Sequence, residues 1–164
     1  MKYWQPLEEA RHYVYGQDYH WFDTADVRPI QAVIPIEAAI PGCPIDRREF
    51  IACVKAVLLG KKLPIPDYPV CVECKLKENA CQYNLGRACL GPVTRAGCGA
   101  ACPSFGQGCE GCRGFVSNPN NAALQGVQSA LGLAAEDLEA RYTLFNTYAV
   151  RDTILRTRQE ARKP

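Results

Sequence analysis

Between Leu7 and Tyr15 apolar and charged positions recur with a helical period (LEEARHYVY), and Glu8 and Glu9 stand where a helix N-terminus favours acidic groups. This predicts a short helix. Ile30 to Ile40 (IQAVIPIEAAI) is rich in β-branched residues but is interrupted by Pro35, so an edge strand or extended segment is expected. A second helix is predicted from Asp46 to Leu59: Asp46 can cap it, Glu49 follows three residues on as in a capping box, and Gly60 ends it. Between Leu63 and about Pro119 the periodicity is lost, apart from some helical character from Lys75 to Leu85. It returns at Asn120, where Ala122 to Leu131 and Glu136 to about Arg158, separated by Gly132, predict a helical hairpin.

Those breaks divide the chain into residues 1–62, 63–119 and 120–164. The middle region holds eight of the ten cysteines, many glycines and few aliphatic side chains. Such a stretch buries too little apolar surface to order itself, so metal ligation is expected to fix its backbone. A net charge of +2 gives no reason to expect nucleic acid or an acidic membrane surface as a partner. The longest apolar run, Phe50 to Leu59, falls well short of the roughly 20 residues a membrane span needs. The start of the chain does not read as a secretory signal, so a cytoplasmic location and cysteine ligands rather than disulfides are expected.

The eight clustered cysteines are Cys71, Cys74, Cys81, Cys89, Cys98, Cys102, Cys109 and Cys112, with gaps of two, six, seven, eight, three, six and two residues. They divide into two sets of four, the first opening and the second closing on a Cys-x2-Cys pair that can point two sulfurs at one centre. Each set can hold a cubane iron–sulfur cluster or a tetrahedral zinc. Nearby glycines allow tight turns and bring amide N–H groups to sulfur, where they stabilise a reduced cluster's charge. The spacing alone leaves iron–sulfur clusters, paired structural zincs and disulfides open.

The residues around the cysteines narrow the choice. PVCVECK (Pro69 to Lys75), CLGPVTRAGCGAACPSFGQGCEGCRG (Cys89 to Gly114) and, upstream, IPGCPIDRREF (Ile40 to Phe50) together resemble the small, electron-transfer subunit of nickel–iron hydrogenases. The resemblance covers residues 40–114 most strongly. It implies that Cys71, Cys74, Cys81 and Cys89 hold a distal 4Fe–4S cluster and that Cys98, Cys102, Cys109 and Cys112 hold a medial one. Cys43 matches the fourth ligand of a proximal cluster. The respiratory, periplasmic form of that family has a histidine at the position of Cys71 and a proline near that of Cys102, and in this chain both positions are cysteine. Cysteine at both positions resembles the cytoplasmic enzymes of the sulfhydrogenase and F420- or methyl-viologen-reducing type.

By the same resemblance the chain is mostly α and irregular: a cysteine-rich iron–sulfur domain with short helices, preceded by a remnant of an α/β flavodoxin-like domain. The implied cofactors are two 4Fe–4S clusters and part of a third, proximal site. The implied partners are the nickel–iron large subunit and a flavin- and iron–sulfur-bearing acceptor subunit. The other proximal ligands, a C-x2-C pair among them, have no match upstream of Cys43. A truncated chain or a second polypeptide supplying that half is therefore expected, and the chain alone is expected to lack catalytic residues and hydrogenase activity. A stand-alone ferredoxin-like carrier and a zinc-stabilised interaction module are the alternatives.

The remaining candidates read as structural. Cys53 lies among apolar neighbours in a helix and suits a buried position. His12 and His20 sit among aromatics and away from ligand spacing. Glu8, Glu9, Asp23 and Asp26 are helix-start and turn residues, and the basic tail (Arg151, Arg156, Arg158, Arg162, Lys163) is a solvated helix face.

Overall fold

A computed structural model describes residues 7–22, 28–133, 137 and 140–148. The chain forms two compact units, Met1–Ile34 and Pro35–Pro164. In the first, helix α1 spans Leu7–Tyr15, as its pattern predicts, and a 3-10 turn, Gly16–Trp21, continues from it. Arg11 folds this turn back on the helix by donating to the carbonyls of Tyr19 and Phe22. Tyr15 and Phe22 stack with ring centroids 4.3 Å apart, and His12 and His20 pack against Tyr19.

The expected strand over Ile30–Ile40 is not formed. Ile30–Ala32 is a single 3-10 turn, and residues 35–40 have no regular structure. The amides of Val33 and Ile34 are both satisfied by the Ile30 carbonyl, and Pro35 brings no N–H. β-branched composition cannot make a strand where the backbone groups pair locally.

The second unit opens with α2, Arg47–Leu58. The Asp46 carboxylate accepts from the amides of Arg48 and Glu49, both at 2.9 Å. At the other end Gly60 takes φ +61°, Gly60 N–H donates to Val57 and Lys61 N–H to Ala56, which is the glycine stop known as a Schellman motif. Helix α3, Val70–Leu76, starts five residues before the helical character read from the sequence. Pro69, with φ −71° and ψ 151°, sets its entry, and the Val70 side chain is buried. A 3-10 turn (Gln82–Leu85), the short α4 (Ala101–Ser104) and α5 (Asn121–Ala130) follow. Asn120 caps α5 through the amide of Ala123. Residues 140–148 are helical, and Tyr142 donates to the Asn121 side chain at 2.8 Å, linking them to α5. The rest of the predicted second hairpin helix, the basic tail, Asp23 and Asp26 lie outside the described residues.

Among the described residues there are no strands, only isolated antiparallel bridges, Pro69 with Arg95 and Thr94 with Phe115. They bring residues 68–70, 93–96 and 114–116 side by side, with Val70 N–H on Thr94, Arg95 N–H on Gly114 and Val116 N–H on Val93. Two small apolar clusters flank this seam. Val70, Cys89, Ala100 and Cys109 form one; Leu90, Val93 and Leu124, with Tyr83, Phe115 and Tyr142 against them, form the other. Burial of Leu90, Val93 and Leu124 stabilises the unit by about 1.5–3 kcal/mol each. That is a modest core for so long a segment, and the cysteines thread through it.

Candidate metal centre

Cys71 and Cys74 stand three residues apart on α3, so both thiols leave the same face of one helical turn. Cys81 precedes the Gln82–Leu85 turn, and Cys89 lies beyond it on the buried seam. These four are mutual neighbours: Cys71 and Cys89 each feel the charges of Cys74 and Cys81. The chain bends closely around them. A Cβ on Gly91 would stand 3.3 Å from the Cys89 sulfur and 3.4 Å from that of Cys71, so only glycine leaves the space between them open. The amides of Gly91 (3.4 Å) and Cys109 (3.2 Å) both donate to the Cys89 sulfur. The Cys89 carbonyl is held in turn by the Tyr83 hydroxyl and, at 3.3 Å, the Gln128 amide.

The second set lies on a loop and turn. Cys98, Cys102, Cys109 and Cys112 line one cavity of about 280 Å³, and Cys43 lines it too. Cys112 lies within electrostatic reach of Cys98, Cys102 and Cys43, and the Cys43 amide donates to its sulfur. The structure thus brings all nine sequence-predicted cysteines to two neighbouring groups, with Cys43 beside the second. Cys53 is apart from them, fully buried in α2, and burial raises its thiol pKa.

No disulfide joins any of the ten cysteines. Burial pushes the Cys71 thiol up to about 11 and the Cys109 thiol up to about 12, the latter against the opposing pull of the Gly111 amide and the Thr94 hydroxyl. Burial also raises Cys89 and Cys112, against amide donation from Cys109 and Gly91 and from Cys43 respectively. Such thiols stay protonated at neutral pH until a metal displaces the proton. Sulfur-only donors, amides aimed at sulfur and a cradle kept clear by Gly91 fit a metal–sulfur cluster. Among the described residues no three His, Cys, Asp or Glu side chains converge on a single metal ion.

Charged side chains brace the site, and sequence reading missed them. Glu49 does not complete the capping box; its carboxylate is taken by Arg113, whose Nη1 and Nη2 donate to it at 2.8 and 2.6 Å. The two side chains are 8 % and 1 % exposed. Arg113 also donates to the carbonyls of Ala96 and Pro41, both at 2.8 Å. One guanidinium therefore joins the Cys43 segment, α2, the approach to Cys98 and the chain after Cys112. Gly97, at φ +115°, is required there because a Cβ would run into the guanidinium and the Glu49 carboxylate. Glu73, between Cys71 and Cys74, accepts from the amides of Gly97 (2.9 Å) and Ala100 (3.1 Å). Asn146 donates to the Gly111 carbonyl at 3.1 Å, and Arg141 pairs with Glu110, so residues 140–148 also grip the second set. These pairings span 17 to 72 residues, and no local pattern signals them.

A cysteine-walled centre of this build suits an iron–sulfur protein, and comparison gives the chain's relatives. No protein-family model matches the chain. It is homologous to iron–sulfur subunits of hydrogenases. It is 44 % identical to the delta chain of sulfhydrogenase 2 of Pyrococcus furiosus over 108 residues, 65 % of this chain and 46 % of that protein. It is 31 % identical over 157 residues to a subunit of the F420-non-reducing hydrogenase vhu of Methanococcus voltae, covering 84 % of this chain and 55 % of the relative. The counterpart of that subunit in Methanocaldococcus jannaschii is 32 % identical over 149 residues, 79 % of this chain and 52 % of that one. The chain spans about half the length of the curated relatives it matches. No described helix is long and apolar enough to cross a membrane.

Proposed function

We propose that this chain is the electron-relay part of a cytoplasmic nickel–iron hydrogenase. In this reading Cys71, Cys74, Cys81 and Cys89 hold a distal 4Fe–4S cluster, and Cys98, Cys102, Cys109 and Cys112 hold a medial one. Cys43 is the one ligand this chain contributes to a proximal cluster, completed by residues outside the chain. When bound, the clusters supply one-electron sites between the H2-activating centre of a large subunit and a flavin/iron–sulfur partner linked to NAD(P) or F420. Residues 1–62 then represent the remnant of a flavodoxin-like domain, 63–119 the two-cluster domain and 120–164 a helical segment against it.

The observation that carries this reading is the thiol arrangement itself: two neighbouring sets of free cysteines, with amides directed at sulfur and a glycine-lined cradle between sulfurs. The chain's own work is to hold thiols at fixed positions and exclude water from Cys89 and Cys109. It also directs the Gly91 and Cys109 amides at a sulfur whose negative charge grows on reduction. Cys43, lining the same cavity as the second set, supports a proximal side of the proposed relay next to the medial one. The names of the relatives, and the homology to them, support the hydrogenase assignment.

The test is anaerobic reconstitution of the chain with iron and sulfide. About eight iron and eight labile sulfides are expected per chain, with broad visible absorption that dithionite bleaches. A colourless protein that takes up zinc in preference to iron would overturn the proposal. The loaded chain alone is expected neither to evolve nor to consume H2.

A further inference from the structure

We propose that Glu73 is a positioning residue that locks the second cysteine set to the first and, through its charge, makes both clusters harder to reduce. The inference rests on the cluster reading above and deepens it. Glu73 lies on α3 between Cys71 and Cys74, so it belongs to the element that presents the first set. Its two carboxylate oxygens each accept from a different amide of the second set's loop: Gly97, which precedes Cys98, at 2.9 Å, and Ala100, two residues before Cys102, at 3.1 Å.

The loop needs such a hold. Ala100 has φ +49° and ψ 43°, the left-handed conformation that a side chain disfavours, and it is fully buried. It is also the residue that turns the chain into α4, which carries Cys102. An amide in a strained turn, tied to a carboxylate two chain segments away, fixes the distance between Cys98 and Cys102 by reference to Cys71 and Cys74. Among the other bridges between the sets, Cys109 N–H donates to the Cys89 sulfur, Asn79 to the Ser104 hydroxyl and the Arg87 guanidinium to the Gly106 carbonyl, and none of these brings a negative charge.

The charge follows from the same geometry. A half-buried carboxylate standing between two sets of thiolates opposes each electron added to either of them, because screening is weaker there than in water. Arg113, on the far side of Gly97, is paired with Glu49 and feels Glu73 as well, so it offsets the Glu73 charge only in part.

The experiment is a redox titration followed by electron paramagnetic resonance on the full chain, reconstituted with iron and sulfide, with iron counted in parallel. Glu73→Gln removes the charge and retains one acceptor oxygen. At a fixed potential the reduced-to-oxidised ratio of both clusters should rise about tenfold, equivalent to 59 mV for a one-electron couple. Glu73→Asp keeps the charge on a shorter arm. It should leave the first cluster's ratio within about twofold of the parent and lower the iron bound by the second set. Asp67→Asn, which removes a carboxylate from another part of the surface, should change neither quantity. If the parent loads both clusters and Glu73→Gln alters neither ratio, or only one, the inference is overturned while the cluster reading stands. A parent that binds no iron overturns the cluster reading and this inference together.

Discussion

Gly91 is the position at which one added methyl group meets two proposed ligands at once. A Cβ there contacts the sulfurs of Cys89 and Cys71 at 3.3 and 3.4 Å, and neither can retreat far, because Cys89 is buried and Cys71 is fixed on a helix. Gly91→Ala is therefore expected to cut iron loading from about eight toward about four per chain, with the loss confined to the first set. An unchanged iron count would show that the cradle is not where the cluster sits. Cys102 offers a cleaner change of cluster type. It stands in the first turn of α4, where proline is tolerated, so Cys102→Pro should keep the fold and leave three thiolates in its set. The expected product is a 3Fe–4S centre in that set, detected by paramagnetic resonance of the oxidised variant, beside an intact 4Fe–4S cluster. Two surviving 4Fe–4S clusters would mean that Cys102 is not a ligand. At this scale the cysteines announce themselves in the sequence by spacing and neighbours. Glu73, Glu49 and Arg113 do not, since each reads locally as an ordinary helix or loop charge and acquires its role only from distant backbone.

Among the elements, α2 shows both what local signals determine and where they stop. Its start and end follow from Asp46 and Gly60, and both ends are made as the sequence predicts. Asp46→Ala should destabilise the helix by about 0.5–2 kcal/mol without changing iron content, which denaturant unfolding of the loaded chain can measure. The third capping signal, Glu49, is diverted to Arg113, and that pairing couples α2 to the cysteine loops. Removing one partner of a buried pair leaves the other uncompensated, so Arg113→Met should cost about 3–5 kcal/mol. Combining it with Glu49→Leu should recover part of that loss, seen as a return of the denaturant midpoint for cluster bleaching. A double variant no better than the single one would argue that the hydrogen bonds to Ala96 and Pro41 matter more than the charge pair. Helix α3 is legible only in part, because its opening residues Pro69-Val70-Cys71 carry no helical periodicity. The Ile30–Ile40 segment misleads for the opposite reason: its composition favours a strand, while its amides pair locally and, among the described residues, it bridges to no other segment.

Over the described chain, α1, α2 and α5 follow from ordinary hydrophobic patterning and capping, while residues 68–116 are organised around the thiols. The seam of bridges between residues 68–70, 93–96 and 114–116 has no alternating pattern, so nothing in the sequence foretells its pairing. Stripping the metal with a strong iron chelator should therefore act unevenly. Hydrogen exchange is expected to speed up at Leu90, Thr94, Ala96 and Val116, while the amides of α2 and α5 keep most of their protection. Uniform loss of protection would show that the metal organises the entire unit. Each set of thiols also has a closed side and an open side: Cys89 and Cys109 are buried, whereas Cys81, Cys98 and Cys102 face solvent. If the proposed clusters are bound there, oxygen diffusing in from water would meet the outer corners first, so corrosion of the metal would have a direction. It would begin at Cys81 in one set and at Cys98 and Cys102 in the other, and reach the inner sulfurs last. A chain damaged briefly by air would thus keep the seats from which repair starts, and iron with sulfide would return from the same side through which it left.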